Sequence, residues 1–273
     1  MDHRPTVTPA SAWAIHEGDC IDVMRTLAAE SIDAVITSPP YAMQRKATYG
    51  GVPEADYPEW TVAWMREVRR VLKPDGNVVI NIRPHIKGGV ISDYVLRTRL
   101  ALREDGWAEC EELIWFKRSS PPMGSVHRPR RAWESLLWYG KHGRPWTDVR
   151  ANGQQSDRIG ARGGRGYVVQ PSAAFTSGTS RSKDVAEVNL GRPNRWDQDN
   201  VDHPAPYPWQ LAEWVAHLVC PPGGTILDPF SGSGSTGVAA IRGGWSYVGI
   251  DAVPEYAAMS RKRLEATGGE GLA

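Results

Sequence analysis

At both ends of the chain, short apolar runs alternate with stretches whose apolar residues recur at helical spacing. Residues 13–16 (WAIH) read as a strand and 20–28 as a helix. Residues 33–37 (DAVIT) form an apolar run that stops at Pro39-Pro40, as expected of a buried strand. In 58–72, Val62, Met65, Val68, Val71 and Leu72 fall on one helical stripe. Lys73-Pro74-Asp75-Gly76 predicts a turn, and 77–82 (NVVINI) a second buried strand. A helix near 90–104 and strands at 107–116 and 133–140 follow. After residue 208 the alternation resumes: helix 208–219, strand 225–229, helix 235–243, strand 245–250 and helix 254–266. Strands alternating with helices predict an α/β fold, with a mostly parallel sheet covered on both faces.

Between 141 and 200 the periodicity fades into Gly, Arg, Ser and Asn (ANGQQSDRIGARGGRGY). Long irregular segments in compact proteins are usually functional or unstructured, and 150–183 is expected to be disordered without a partner. Charge marks the same region. Residues 117–200 hold 15 Lys and Arg against seven Asp and Glu, whereas the remainder holds 17 against 24. A basic third on a neutral-to-acidic core suits a polyanion. Trp133 and Trp138 lie on the predicted 133–140 strand and are expected in the core. The cysteines, Cys20, Cys110 and Cys220, form neither a CxxC pair nor a zinc pattern, so no metal site is expected. No apolar run approaches the roughly 20 residues that span a bilayer, and MDHRPTVTPAS lacks a signal-peptide core. The reading is cytoplasmic, with no membrane partner.

Two segments carry chemistry. In TILDPFSGSGSTGVAA (225–240) an apolar strand ends at Asp228-Pro229-Phe230, and Gly232 and Gly234 precede a helix. Glycines permit a tight turn and close approach of backbone to a ligand. The next strand ends at Asp251, placed to accept hydrogen bonds from ribose hydroxyls. No Gly-Lys-Ser/Thr sequence closes the loop, which argues against a phosphate cradle. Phe230 stands where a dinucleotide motif would begin its glycines, which disfavours NAD.

The second segment is DAVITSPPY (33–41). Its strand delivers Ser38 to the carboxyl edge of the sheet, where open α/β folds bind ligands. Pro39 and Pro40 fix the backbone and remove two N–H donors, leaving carbonyls and the Ser38 hydroxyl as acceptors. Tyr41 adds a flat face. An exocyclic base amine is a poor nucleophile because its lone pair is delocalised into the ring. Acceptors on its N–H bonds favour a more tetrahedral nitrogen, and an aromatic face can hold a base drawn from the stack.

Together these segments resemble the amino-methyltransferases of DNA, the N4-cytosine/N6-adenine family, in the permuted beta-class order with the catalytic motif first. DAVITSPPY resembles the catalytic motif, LDPFSGSGSTG (227–237) the cofactor loop and VGID (248–251) the ribose-binding acid. IHEGDCIDVMRTL (15–27), LKPDGNVVINI (72–82) and HPAPYPWQLAEWVAHLVCPPG (203–223) are similar to further family segments. The resemblance implies a Rossmann-like, circularly permuted S-adenosylmethionine-dependent methyltransferase fold. It would have a seven-stranded sheet and an irregular basic insert. Residues 1–140 would form the catalytic half, 117–200 an overlapping target-recognition region, and 201–273 the cofactor half. Asp228, Phe230, Gly232, Gly234 and Asp251 would line the cofactor. Asp19 and Cys20 would border its adenine, with His203, Pro204 and Pro206 at its methionine end. Ser38, Pro39, Pro40 and Tyr41 would handle the base. Within the insert, Arg128, Arg130, Arg131, Arg158, Arg162 and Arg165 would meet double-stranded DNA.

Ser before the two prolines resembles the cytosine-N4 members, and Asp the adenine-N6 members. The resemblance thus implies N4 of cytosine, with adenine N6 as the alternative. An RNA or protein methyltransferase and a non-catalytic DNA-binding relative remain open as well. C5 chemistry needs a nucleophilic Cys, commonly after Pro, and no Cys here follows one. The family context also suggests a bacterial or phage-encoded, nucleoid-associated enzyme, monomeric or homodimeric. It would act within restriction-modification, beside a possible cognate restriction endonuclease.

Overall fold

The computed structural model describes residues 12–43, 51–119, 127–154, 179–189, 207–268 and, as backbone, 270–271. The first half runs β1 (Ala12–Glu17), α1 (Cys20–Thr26), β2 (Ile32–Thr37), α2 (Tyr57–Val71) and β3 (Leu72–Ile82). A small hairpin follows, β4 (Ile86–Lys87) and β5 (Val90–Ile91), then α3 (Tyr94–Glu104), β6 (Ala108–Phe116) and β7 (Trp133–Gly140). The second half runs β8 (Val185–Glu187), α4 (Trp209–Val219), β9 (Thr225–Asp228), α5 (Ser235–Gly243), β10 (Ser246–Asp251), α6 (Pro254–Thr267) and β11 (Glu270–Gly271). Local chemistry fixes several ends. The Asp19 side chain caps α1 by accepting from the Ile21 and Asp22 amides. Pro254 opens α6, and Gly268, at φ 96°, closes it.

One sheet takes the order β11-β1-β10-β9-β2-β3-β7-β6-β8. Strands β11 through β3 are mutually parallel, β7 is antiparallel to both β3 and β6, and β8 is parallel to β6. The described residues therefore give nine strands where seven are expected. The two additions are the shortest strands of the sheet, and each occupies an edge. Alternation assigns side chains to two cores. Ala34, Ile36 and Val79 pack under α4, α5 and α6, whereas Val35, Val78 and Ile80 pack under α1, α2 and α3. All six residues of β2 are buried, which explains the consecutive apolar residues Ala34, Val35 and Ile36 at its centre.

Three local expectations change. Lys73–Gly76 lies within β3, yet Ile32 pairs with Leu72 and Ala34 with Asn77, so the expected turn survives as a large bulge. Lys73 closes it on both Asp33 oxygens at 2.8 Å. The expected helix from 90 starts only at Tyr94, because Gly88 and Gly89 first turn the chain into the β4–β5 hairpin. The irregular insert contributes β8 to the sheet.

Candidate active site

Strands β2 and β9 are parallel neighbours, so Thr37 and Asp228 arrive together at the carboxyl edge. The Thr37 hydroxyl donates to Asp228 Oδ1 at 2.6 Å. Asp228 Oδ2 accepts from the Thr236 hydroxyl at 2.6 Å, and Oδ1 also accepts from the Phe230 amide at 3.1 Å. The TSPPY turn and the glycine loop are thereby fastened to each other. Asp228 is 1% exposed. Burial raises its carboxyl to about 6 against the pull of its three donors. It braces the loop from within the core.

The loop after Phe230 is held from the next strand. Asp251 Oδ2 accepts from the Gly232 amide at 2.7 Å and Oδ1 from the Val253 amide at 2.9 Å. Gly232 and Gly234 take φ values of 53° and 79°, a region open to glycine at little cost. The Gly18 amide donates to the Asp251 carbonyl at 3.0 Å, which brings Asp19 alongside. Two carboxylates on adjacent strand ends offer acceptors to a ribose diol or an amine. A carboxylate has about four lone-pair positions, so Asp251 keeps capacity beyond its two amide bonds. This donor set fits the nucleoside of S-adenosylmethionine and lacks the cationic loop that a nucleoside triphosphate needs. Cys20 is buried beside Asp19, its thiol pushed up to about 12, so it acts as packing. The Phe230 ring lies 5.3 Å from Trp64, edge to face, and 5.5 Å from Trp60.

At the end of β2, Tyr41 donates its hydroxyl to Glu134 Oε2 at 2.7 Å. Glu134 also pairs with buried Lys117 and lies 3.8 Å from Arg83 Nη1. Lys117 sits 3.9 Å over the Trp115 ring. Burial and then the Glu134 charge raise the Tyr41 phenol well above its ordinary value, opposed by the Ser38 side chain. Tyr41 is therefore a neutral donor with a fixed ring. Tyr57 donates to the Pro40 carbonyl at 3.1 Å and holds the turn from below. Sequence reasoning gave no role to Thr37, Arg83, Lys117, Glu134 or Thr236. A usable signal existed for one pair: Glu134 and Lys117 punctuate aromatic, apolar strands, and buried charges of opposite sign need partners. The β6–β7 register sets Trp115 opposite Glu134 and so brings the two together.

Of the arginines expected to meet DNA, Arg128 and Arg130 are exposed and Arg131 is half-buried at this edge. Arg128 donates to the Gly89 carbonyl, and Arg131 to the Pro84 carbonyl at 2.6 Å. Trp133 corrects the core expectation. It is 49% exposed at the start of β7, whereas Trp138 packs on the core and bonds Asn77 Oδ1 at 2.7 Å. His203, Pro204, Pro206, Arg158, Arg162 and Arg165 lie outside the described residues, as does 155–178 of the expected disordered loop. The ends of that loop are joined: Ser180 donates its amide to Gln154 O at 2.9 Å and Ser182 to Val149 O at 2.7 Å. Tyr207, directly after the HPAP segment, shares a hydroxyl contact with Thr236 of α5.

The sequence model of the N6_N4_Mtase family, described as DNA methylase, matches residues 32–262. The chain is 27% identical to Type II methyltransferase M.PvuII of Proteus hauseri, over 96% of this chain and 86% of the relative. Among solved structures, PvuII DNA methyltransferase (cytosine-N4-specific) superposes with a TM-score of 0.73 at 24% identity, covering 97% of this chain and 98% of that one. A DNA modification methylase from Thermus thermophilus, complexed with S-adenosyl-L-methionine, gives 0.60 at 23% identity, covering 95% and 99%.

Proposed function

The chain belongs to the DNA methylase family, and from that premise we propose that it moves a methyl group from S-adenosylmethionine to the exocyclic N4 of cytosine in double-stranded DNA. The observation that carries this reading is the Thr37–Asp228 bond, which sets the TSPPY turn beside the glycine loop at one sheet edge. A donor bound on the loop and a base held on the turn would meet there. When bound, S-adenosylmethionine supplies an electrophilic sulfonium methyl. Asp251 and Asp19 hold the nucleoside, with Phe230, Gly232 and Gly234 lining the loop. The likeness of 203–223 to the family segment assigns His203, Pro204 and Pro206 to the methionine end of the cofactor. The Ser38 hydroxyl and the carbonyls of the Ser38-Pro39-Pro40 turn accept the N–H bonds of the base amine, while Tyr41 supports the ring. Arg128, Arg130 and Arg131 meet the DNA backbone. Ser38 before the two prolines and the likeness to cytosine-N4-specific PvuII methyltransferase support cytosine over adenine. Nucleoside mass spectrometry of DNA treated with the purified protein tests this. N4-methylcytosine is expected, and N6-methyladenine alone, or no methylated base, would overturn it.

A further inference from the structure

The β4–β5 hairpin forms a two-stranded sheet of its own, apart from the main sheet. Arg83, which neighbours the Glu134 carboxylate that holds Tyr41, is only three residues before Ile86. The turn is Gly88-Gly89, both at positive φ (56° and 79°), with open space where a side chain would stand. Around it, Ile86, Val90 and Ile91 are 36%, 68% and 57% exposed. Apolar side chains gain nothing from this placement in the free protein. The stem, by contrast, is heavily braced. Glu54 bonds His85 at 2.8 Å and Ser92 at 2.5 Å. Ser92 donates its amide to His85 O at 3.0 Å, and Tyr94 its hydroxyl to Arg83 O at 2.8 Å. Arg131 and Arg128 grip the hairpin backbone at Pro84 and Gly89. Two cations flank the tip: Lys87, its side chain 76% exposed and its Nζ 3.9 Å from Glu54 Oε1, and Arg128, which donates to the Gly89 carbonyl. The nearby carboxylates are engaged, Glu54 within the stem and Asp93 with Arg97 at 2.8 Å.

A stiff apolar tip flanked by two cations suits a polyanion whose interior is apolar and stacked. Resting on the DNA reading above, we infer that the β4–β5 hairpin is a wedge. Val90 and Ile91 enter the duplex at the step the target base leaves, and Lys87 meets the adjoining phosphate. Drawing a base from the stack costs a few kcal/mol, and an apolar side chain that fills the gap offsets part of it. A second copy of the chain is the competing occupant, but the cations around the tip match phosphates rather than their own like charges.

The test uses the full chain and a duplex bearing the site found by methylome sequencing, its target base either paired normally or opposite an abasic position. V90S/I91S replaces exposed side chains and leaves the Gly turn intact. It is expected to methylate the paired duplex about tenfold more slowly, with most of the deficit removed on the abasic duplex, where no pair needs opening. Its affinity for S-adenosylmethionine is expected to be unchanged. K87A should raise KM and lower the salt slope of binding by about one. Equal rates for wild type and V90S/I91S, an equal deficit on both duplexes, or a deficit that follows conversion of a dimer to a monomer in sedimentation would each overturn the wedge. A wild-type protein that methylates neither duplex would instead refute the functional reading on which the wedge depends.

Discussion

Tyr41 serves through two separable parts, a ring face and a hydroxyl. The hydroxyl is spent on Glu134 at 2.7 Å, which fixes the ring without touching the glycine loop. Tyr41→Phe keeps the face and removes a bond to a charged acceptor, worth about 1.5–3 kcal/mol. Activity on DNA is expected to fall about tenfold, with cofactor affinity near wild type in calorimetry. A matching loss of cofactor affinity would contradict the assignment. Tyr41→Ala removes the ring as well and should fall further. Glu134→Gln behaves differently, because an amide oxygen still accepts from Tyr41 while buried Lys117 loses its counter-charge. Breaking a buried pair costs about 3–5 kcal/mol, so denaturant unfolding should show a loss of that order. Asp251→Ala touches the other half of the site. It strands the Gly232 and Val253 amides and should raise the cofactor dissociation constant by about 1–3 kcal/mol. An unchanged constant would remove Asp251 from the cofactor site.

The elements show how far local pattern carries. β2 was legible because Ala34, Val35 and Ile36 are apolar on both faces and the run is too short for a helix before Pro39-Pro40 ends it. The loop from Phe230 to α5 was legible because glycine takes positive φ at the least cost, as Gly232 and Gly234 do. Gly234 has a second reason: a Cβ there would lie 2.4 Å from Ser260 Oγ and 3.0 Å from Leu264 Cδ1 on α6. Gly234→Ala should therefore destabilise the protein by about 2 kcal/mol, combining left-handed strain with a close contact. A thermal melt that does not move would show that α6 shifts freely. Val90 and Ile91 of the hairpin were read as the start of a helix and 86–89 went unassigned, although Gly-Gly between Ile-Lys and Val-Ile is a two-residue hairpin signal. Its strands are too short to display alternation, so the turn held the only local evidence. The Glu134–Lys117 pair was illegible for another reason: its partners meet only once the β6–β7 register is known.

At the scale of the molecule, the fold brings β2 of the first half and β9 of the second to one edge, and Asp228 is the joint between them. The motifs on either side were readable. That their meeting point would be a buried carboxyl was not, because Thr37 is 191 residues away in sequence. Burying this group makes the joint sensitive to pH. In the unfolded chain the Asp228 carboxyl titrates near 3.8, and in the folded protein near 6. Below 3.8 both states hold the proton and the neutral carboxyl carries no penalty. As pH rises towards 6 the unfolded state ionises first, so folding stability declines, and the decline ends once the folded carboxyl also ionises. A shift of about two pH units corresponds to about 3 kcal/mol. Asp251, raised by burial, changes in the same direction, whereas Glu54, lowered chiefly by the Ser92 hydrogen bond, works in the opposite sense. The raw pH profile therefore mixes several groups, and the informative quantity is the difference between wild type and Asp228→Asn. Denaturant unfolding at intervals from pH 4 to 7 should show wild type losing about 3 kcal/mol relative to the variant, with the change concentrated between pH 4 and 6. Parallel profiles would mean that the Asp228 carboxyl ionises equally readily in both states, and that the joint between the two motifs is wet rather than buried.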